Sequence, residues 1–525
     1  MTRPARFWLA GEGLLLIACA GVLLSRGHQV TGVAGPEGPA RSWAEDHGIP
    51  ASQRVRHLTG PRPDFLLSIV NPHVLNPAEL AAPARLAVNF HSSPLPRYAG
   101  VHSTAWAVLN GETEYGVTWH VMAEEVDSGD ILVQRRFPMD KDETALSLGV
   151  KCYHHGLESF TALIDALEQD RLAPRKQDAG RRSYYTRRDR MPGAGLIGTH
   201  HTGQEVARWC RAAHVGNAAN TFGLPKLLAG GTAVVLDEVT VVRPTPDIAR
   251  PDRPPGTRVP APGDAVAIAT AGADLLVTRV RRLDGTLVAA REWAAGLNFH
   301  EGDRLALPTP EICRTAGAID RAHCVREAYW AAALTAARPL PPEPTARPAH
   351  APLTQHHIPL PTRAGVSTCT EAGRRELLIR LAAGWIAHAA RRGGTAQTIW
   401  WSTPAVRAAA APLPELFATA VPVTTDTPTP ALAEAVRAAE RQGTFARDLP
   451  LRHPGLAAVP SAGDGLLFAL DTDGFRRFRP EPRAMVCLDA PGERLHLLTP
   501  GPAMADTLAA ILSSHCAPAS TNRRE

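Results

Sequence analysis

The chain is poor in cysteine, in net charge and in long apolar runs, and each shortage excludes a class of protein. Its 525 residues hold eight cysteines, Cys19, Cys152, Cys210, Cys313, Cys324, Cys369, Cys487 and Cys516, with no Cys-x-x-Cys pair. That is neither a disulfide framework nor a zinc site, so a reduced, cytoplasmic setting and no metal are expected. The formal charge is only +5. The basic cluster Arg181-Arg182 with Arg187-Arg188 and Arg190 is too small for a nucleic-acid footprint and reads as a solvated inter-domain segment. The run Leu14–Leu24 behind Arg3 and Arg6 imitates a signal peptide, but it is too short to span a bilayer. Glu12 interrupts its approach and Gly27 follows it as a helix C-cap would. A buried first helix and no membrane partner are expected.

What remains is the composition of an ordinary globular chain, 44% hydrophobic and 20% charged, long enough for three or four domains. The first stretch alternates in βαβ fashion: strands Phe7–Ala10, Val30–Val33, Phe65–Val70 and Leu86–Phe90, the pair Gly116–Met122 and Ile131–Phe137, and helices Leu14–Ser25 and Leu146–Glu168. The pattern implies an α/β, Rossmann-like, mostly parallel sheet covered on both faces, assigned to residues 1–188. The turn Gly11-Glu12-Gly13 invites a dinucleotide-binding reading, yet position 16 is Leu where that pattern needs its third glycine. Short strand-like runs, Val234–Val242, Ala265–Ala269 and Leu275–Arg281, and the hairpin turn Asp284-Gly285 mark a small, mainly β, OB-like module over residues 189–310. A Pro-rich stretch, Arg338–Pro361, and the helices Glu371–Arg391 and Leu432–Gln442 belong to a last α/β region, residues 311–520.

Chemistry concentrates in three segments: Val88-Asn89-Phe90-His91-Ser92-Ser93-Pro94-Leu95-Pro96-Arg97-Tyr98-Ala99-Gly100, Gly116–Met122, and Val126-Asp127-Ser128-Gly129-Asp130-Ile131-Leu132. Asn89 and His91 stand two apart at the end of an apolar strand, so period-two alternation puts both on one face. Strand carboxyl ends are where open α/β sheets bind ligands. Asp127 sits in a loop between two strands. Such a trio suits acyl transfer to an amine: His relays a proton, Asn donates an amide N–H to an oxyanion, and Asp orients the imidazole.

The Asn-x-His…Leu-Pro segment and the aspartate loop resemble those of the formyltransferase family, whose members formylate methionyl-tRNA, glycinamide ribonucleotide, amino sugars and peptide-synthetase substrates. The resemblance covers residues 5–310. It implies Asn89, His91 and Asp127 as the catalytic trio and 10-formyltetrahydrofolate as co-substrate. The folate is expected along Ser68, Val70, Asn71, Val74, Leu95, Met122, Glu125 and Val126, held mostly by backbone groups. Ser93-Pro94 departs from the family's usual Ser-Leu or Leu-Leu, which alters the loop and no catalytic group. Arg211 and Asn220–Lys226 are candidates to face the acceptor, with packing in the β module as the alternative.

The last region resembles the second half of a peptide-synthetase condensation domain. The segments carrying this are Glu327-Ala328-Tyr329-Trp330 with Leu334, Leu416–Val423 with Thr419 where Asn is usual, and Arg447-Asp448-Leu449-Pro450-Leu451. The His-His-x-x-x-Asp-Gly motif of the first half is missing: His154-His155, His200-His201 and His356-His357 each continue differently. A truncated condensation-like domain without peptide-bond chemistry is therefore expected, a docking platform for an adenylation or carrier protein supplied as a separate chain. The acceptor is then an amino acid or carrier-bound aminoacyl amine. The alternatives are a nucleotide-linked amino sugar, or a non-catalytic scaffold with the same fold. The intact trio argues against the scaffold.

Overall fold

The first apolar run becomes strand β1 (Arg6–Gly11), buried from Phe7 to Gly11, and the chain turns at once into helix α1 (Gly13–Ser25). Gly11 has φ 141°, and a Cβ there would lie 1.8 Å from the Ile69 carbonyl oxygen. Close backbone packing thus accounts for this glycine without any nucleotide. The first helix is buried on one face rather than all round: Leu15, Leu16, Cys19, Ala20 and Leu23 are inside, while Leu14 is 73% exposed.

The computed structural model describes residues 4–242, 253–338, 354–360, 370–391, 397–425, 431–456, 466–470, 484–488, 494–499 and 502–515. Most of the Pro-rich stretch Arg338–Pro361 lies outside the described residues. The chain divides into two compact units, residues 1–189 with 207–216, and residues 190–206 with 217–525. Apart from Asp189 and residues 207–216, the residues expected to form two domains fall into one unit.

In the first unit, β1 is followed by β2 (Gln29–Ala34), β3 (Ala51–Ser52), β4 (Phe65–Ile69), β5 (Leu86–His91), β6 (Ala99–Gly100), β7 (Glu114–Val121), β8 (Ile131–Pro138) and β9 (Tyr184–Tyr185). The main sheet runs β3-β2-β1-β4-β5-β7-β8, with the first five strands parallel and the last two antiparallel. The chain winds outward from β1 through β2 to β3, then returns to β4 on the other side. That reversal opens a crevice beyond the strands' carboxyl ends, where Glu12, Val70 and Ser92 follow β1, β4 and β5. The long helix α2 (Ala145–Glu168) covers β7 and β8. It begins with a capping box between Thr144 and Ser147, and the Trp119 indole donates to Ser159 Oγ at 3.1 Å.

The second unit holds an antiparallel sheet, β10 (Lys226–Ala229), β11 (Thr232–Val242), β12 (Arg258–Val259), β13 (Val266–Ile268), β14 (Asp274–Arg282) and β15 (Leu287–Ala289). Asp284-Gly285 makes the hairpin turn between the last two, with Gly285 at φ 92°. A mixed sheet follows, β16 (Thr354–Pro359), β17 (Gln397–Ser402), β18 (Val421–Thr425), β19 (Leu466–Ala469), β20 (Ala484–Leu488) and β21 (Arg494–Thr499), in the order β16-β21-β20-β19-β17-β18. The fully buried Trp401 and Phe468, with Trp330, anchor its core.

A buried ionic network ties residues 220–226 to residues 320–330 and 448–453. Lys226 Nζ meets Asp448 at 2.5 Å, and Arg452 reaches Asp448 at 3.1 Å and both oxygens of Glu327 at 2.8 and 3.0 Å. Burial alone would raise the Glu327 carboxyl; Arg452, His453 and Arg190 outweigh it and hold the group well below the usual carboxylate range. Its folded pKa is thus depressed, so its stabilisation is full above the unfolded value of roughly 4.3 and fades as pH falls below it. Glu327→Gln leaves Arg452 buried beside a neutral amide. It should cost roughly 3–5 kcal/mol at neutral pH and distinctly less near pH 3, as read by denaturant melts at the two pH values.

Candidate active site

The crevice beyond β1, β4 and β5 is a cavity of about 630 Å3. Asn89 and His91, two apart on β5, both line it, as does Asp127. His91 Nε2 donates to the Tyr98 carbonyl at 2.8 Å. A carbonyl can only accept, so Nε2 carries a proton in either charge state. Nδ1 is therefore the nitrogen that gains or loses one, and it faces Asp127 Oδ2 at 3.4 Å.

Asp127 is buried, its side chain 8% exposed. Burial would raise its carboxyl, but the facing His91, the His120 ring and the Gly100 N–H, which donates to Oδ2 at 2.8 Å, together hold it well below the usual carboxylate range. The residue adopts a left-handed backbone, φ 53°, a conformation that aspartate tolerates better than most. Gly129, two positions on, is required by crowding: a Cβ there would lie 1.9 Å from the Val121 carbonyl oxygen.

His120 completes the cluster and was not singled out from sequence. Strand register pairs it with Asn89, and the Asn89 amide donates to His120 Nε2 at 3.1 Å while His120 Nδ1 donates to the Val121 carbonyl at 2.8 Å. The second Asn89 contact, to Asp127 Oδ1, is 3.5 Å long. It is the weaker of the two, so that N–H is the one free to turn toward a substrate oxygen. The set can hold a proton at His91 Nδ1, stabilise it with an ionised carboxylate, and offer an amide N–H to an oxyanion.

The residues expected at the folate divide. Ser68, Val70, Asn71, Val74, Met122 and Val126 line the cavity. Val70 does so at φ 51°, an outlier for a β-branched residue. Leu95 does not: it is 1% exposed and packs on Ala99 and Ile131, because its own N–H and carbonyl are tied to Thr118 and Gln134. Glu125 is an exposed residue beside Arg182, outside the lining. The cavity also receives Asn71 Nδ2 and His73 Nε2, buried atoms without a hydrogen-bond partner among the described residues. Two such polar atoms on lining residues are suited to a polar ligand. Of the acceptor candidates, Arg211 is not part of this lining, and Asn220 and Lys226 are spent in the ionic network of the second unit.

Three comparisons bear on this geometry. Residues 50–165 match the family described as "Formyl transferase". The methionyl-tRNA formyltransferase of Anaeromyxobacter dehalogenans is 30% identical over 318 residues, 56% of this chain and 97% of that enzyme. That of Citrifermentans bemidjiense is 36% identical over 148 residues, 27% of this chain and 46% of that enzyme. The chain therefore belongs to the formyl transferase family and is a formyltransferase. Among solved structures, an N-formyltransferase of Helicobacter canadensis with folinic acid and dTDP-3-aminofucose is 18% identical with a TM-score of 0.42, covering 52% of this chain and 98% of its own. HypX of Aquifex aeolicus is 16% identical with a TM-score of 0.40, covering 58% of this chain and 51% of its own.

His91→Ala, Asn89→Ala and Asp127→Asn should each lower single-turnover formyl transfer by roughly 10²-fold or more while thermal melting shows an intact fold. The double variants should lose little beyond the worse single one, since all three serve one intermediate. Near-wild-type turnover in any single variant removes that residue from the trio.

Proposed function

We propose that this chain moves the formyl group of 10-formyltetrahydrofolate onto the amine of an amino acid, free or tethered to a carrier protein, in nonribosomal peptide or siderophore assembly. The observation that carries the transfer is the convergence of Asn89, His91 and an ionised Asp127 on one cavity. Asn89 donates to the oxyanion as the amine adds to the formyl carbon. His91 Nδ1 holds the proton released from the amine, and Asp127 stabilises the resulting imidazolium until the proton passes to the departing folate nitrogen. The lining atoms Asn71 Nδ2 and His73 Nε2 serve the folate. No metal is needed for any of these steps.

The amino-acid acceptor is supported by the condensation-like segments of residues 321–518. Their most specific motif, Arg447-Asp448-Leu449-Pro450-Leu451, places Asp448 in the buried network with Lys226 and Arg452. That half serves to dock a partner of the synthetase, without peptide-bond chemistry of its own. A reduced, cytoplasmic setting suits both substrates. The whole chain should be offered 10-formyltetrahydrofolate with amino acids, aminoacyl-carrier proteins, amino-sugar nucleotides and methionyl-tRNA, and products read by intact mass. Formylation of an aminoacyl amine supports the reading; formylation confined to the sugar or the tRNA overturns it.

The rate should rise from acid toward mildly basic pH, because the acceptor must shed its proton to attack. Asp127 is ionised throughout that range, so Asp127→Asn should lower the whole profile and keep its acid limb. A profile that peaks below about pH 6 counts against this mechanism.

A further inference from the structure

We infer that Arg182 and Gln177 are positioning residues for catalysis, holding the Asp127 loop in its left-handed turn from the segment that leaves the long helix α2. This rests on the reading of Asp127 and His91 as a working pair.

Residues 175–185 run across both loops of the site. Arg175 exchanges two backbone hydrogen bonds with Ile131, behind the Asp127 loop. Ser183 accepts from Ala99 N and, through its hydroxyl, from Tyr98 N, and its own N–H donates to the Pro96 carbonyl. Strand β9 then pairs with β6, next to the Gly100 N–H that holds Asp127 Oδ2. Between these two anchorages lie Gln177 and Arg182. Gln177 Nε2 donates to the carbonyls of Asp127 at 2.9 Å and Gly129 at 2.7 Å. Arg182 donates to the carbonyls of Asp127 at 3.1 Å and Val126 at 2.7 Å, with its guanidinium also 3.2 Å from Glu125 and over the Tyr184 ring.

Three carbonyls of the loop, those of Val126, Asp127 and Gly129, thus receive four N–H···O bonds from two side chains. A left-handed turn at a non-glycine residue persists only where surroundings over-determine it. Here the pins are on the backbone, and the carboxylate they aim is the one that meets His91. Neither side chain lines the cavity, so neither touches a substrate there. The planar fork of Arg182 reaches two carbonyls at once, which a lysine cannot copy. The amide of Gln177 supplies two N–H groups, which a carboxylate cannot.

The test uses the full chain with Arg182→Lys and Gln177→Glu, each alone and combined with Asp127→Asn. The first readout needs no acceptor: the pH titration of the His91 ring followed by nitrogen-15 NMR. Both single variants should displace that titration toward the curve of Asp127→Asn, and neither should displace it further in the Asp127→Asn background. With the amine selected by the acceptor panel, kcat should fall roughly 10- to 100-fold with KM changed less than threefold, and the loss should vanish on the Asp127→Asn background. Wild-type titration and kcat in both variants overturn the inference, as does a loss additive with Asp127→Asn. A displaced His91 titration in an enzyme that formylates none of the amines would sink the acceptor reading and leave the positioning role standing.

Discussion

The first unit depends on keeping one carboxylate ionised while burying it. Asp127 is inside, and what opposes the cost of its burial is local: the Gly100 N–H, the His91 ring and the His120 ring. Each of these comes from a different piece of chain, strand β6, the end of β5 and the end of β7. The sheet order brings them together, because β5 and β7 are antiparallel neighbours and Asn89 faces His120 across them. Shifting β7 by one residue would turn His120 to the other face of the sheet and leave both Asn89 and Asp127 without it.

Much of this was readable in the sequence, and the reasons are specific. Asn89 and His91 could be placed on one face because a strand alternates with period two, and the order βαβ fixed which end of the strand they occupy. Asp127 was visible as an acidic residue between two strands, matched to the His91 imidazole, but its Gly100 and His120 partners were not. His120 lies between Trp119 and Val121 in a strand, so sequence alone reads it as a core histidine. Only the register with β5 makes it a partner of Asn89. Leu95, a conspicuous motif position, lies outside the cavity lining: its backbone is committed to Thr118 and Gln134, and that commitment draws the side chain inward. Gly11 was read as no more than a tight strand-to-helix turn. A tight strand-to-helix turn looks like a phosphate loop, yet the crowding that requires glycine comes from the Ile69 carbonyl.

In the second unit, a β module over residues 189–310 and an α/β region over residues 311–520 were expected on either side of a seam. Side-chain chemistry crosses that seam. Lys226 leaves the β module to meet Asp448, and Arg452 joins Asp448 to Glu327 and to the Asn220 carbonyl. All four charges are buried, so each one's partner is a condition for its own burial. Cutting the chain at residue 310 would strand Lys226 without Asp448. A linker-like composition marks where a chain is free of local structure, and it says nothing about which distant residues must neutralise each other.

The same logic separates two kinds of conserved-looking motif in this chain. Asn89, His91 and Asp127 keep part of their bonding capacity turned to a cavity: a long, weak contact at Asn89 and a titrating nitrogen at His91. Asp448 and Arg452 keep little, since both are buried and bonded to one another and to Lys226, Glu327 and Asn220. Groups that must act on a substrate cannot be fully satisfied beforehand, whereas groups that hold a core together must be. By that criterion the chemistry of this chain belongs to the crevice of the first unit. Asp448 and Arg452, with Lys226 and Glu327, contribute fixed charges to the core of the second unit.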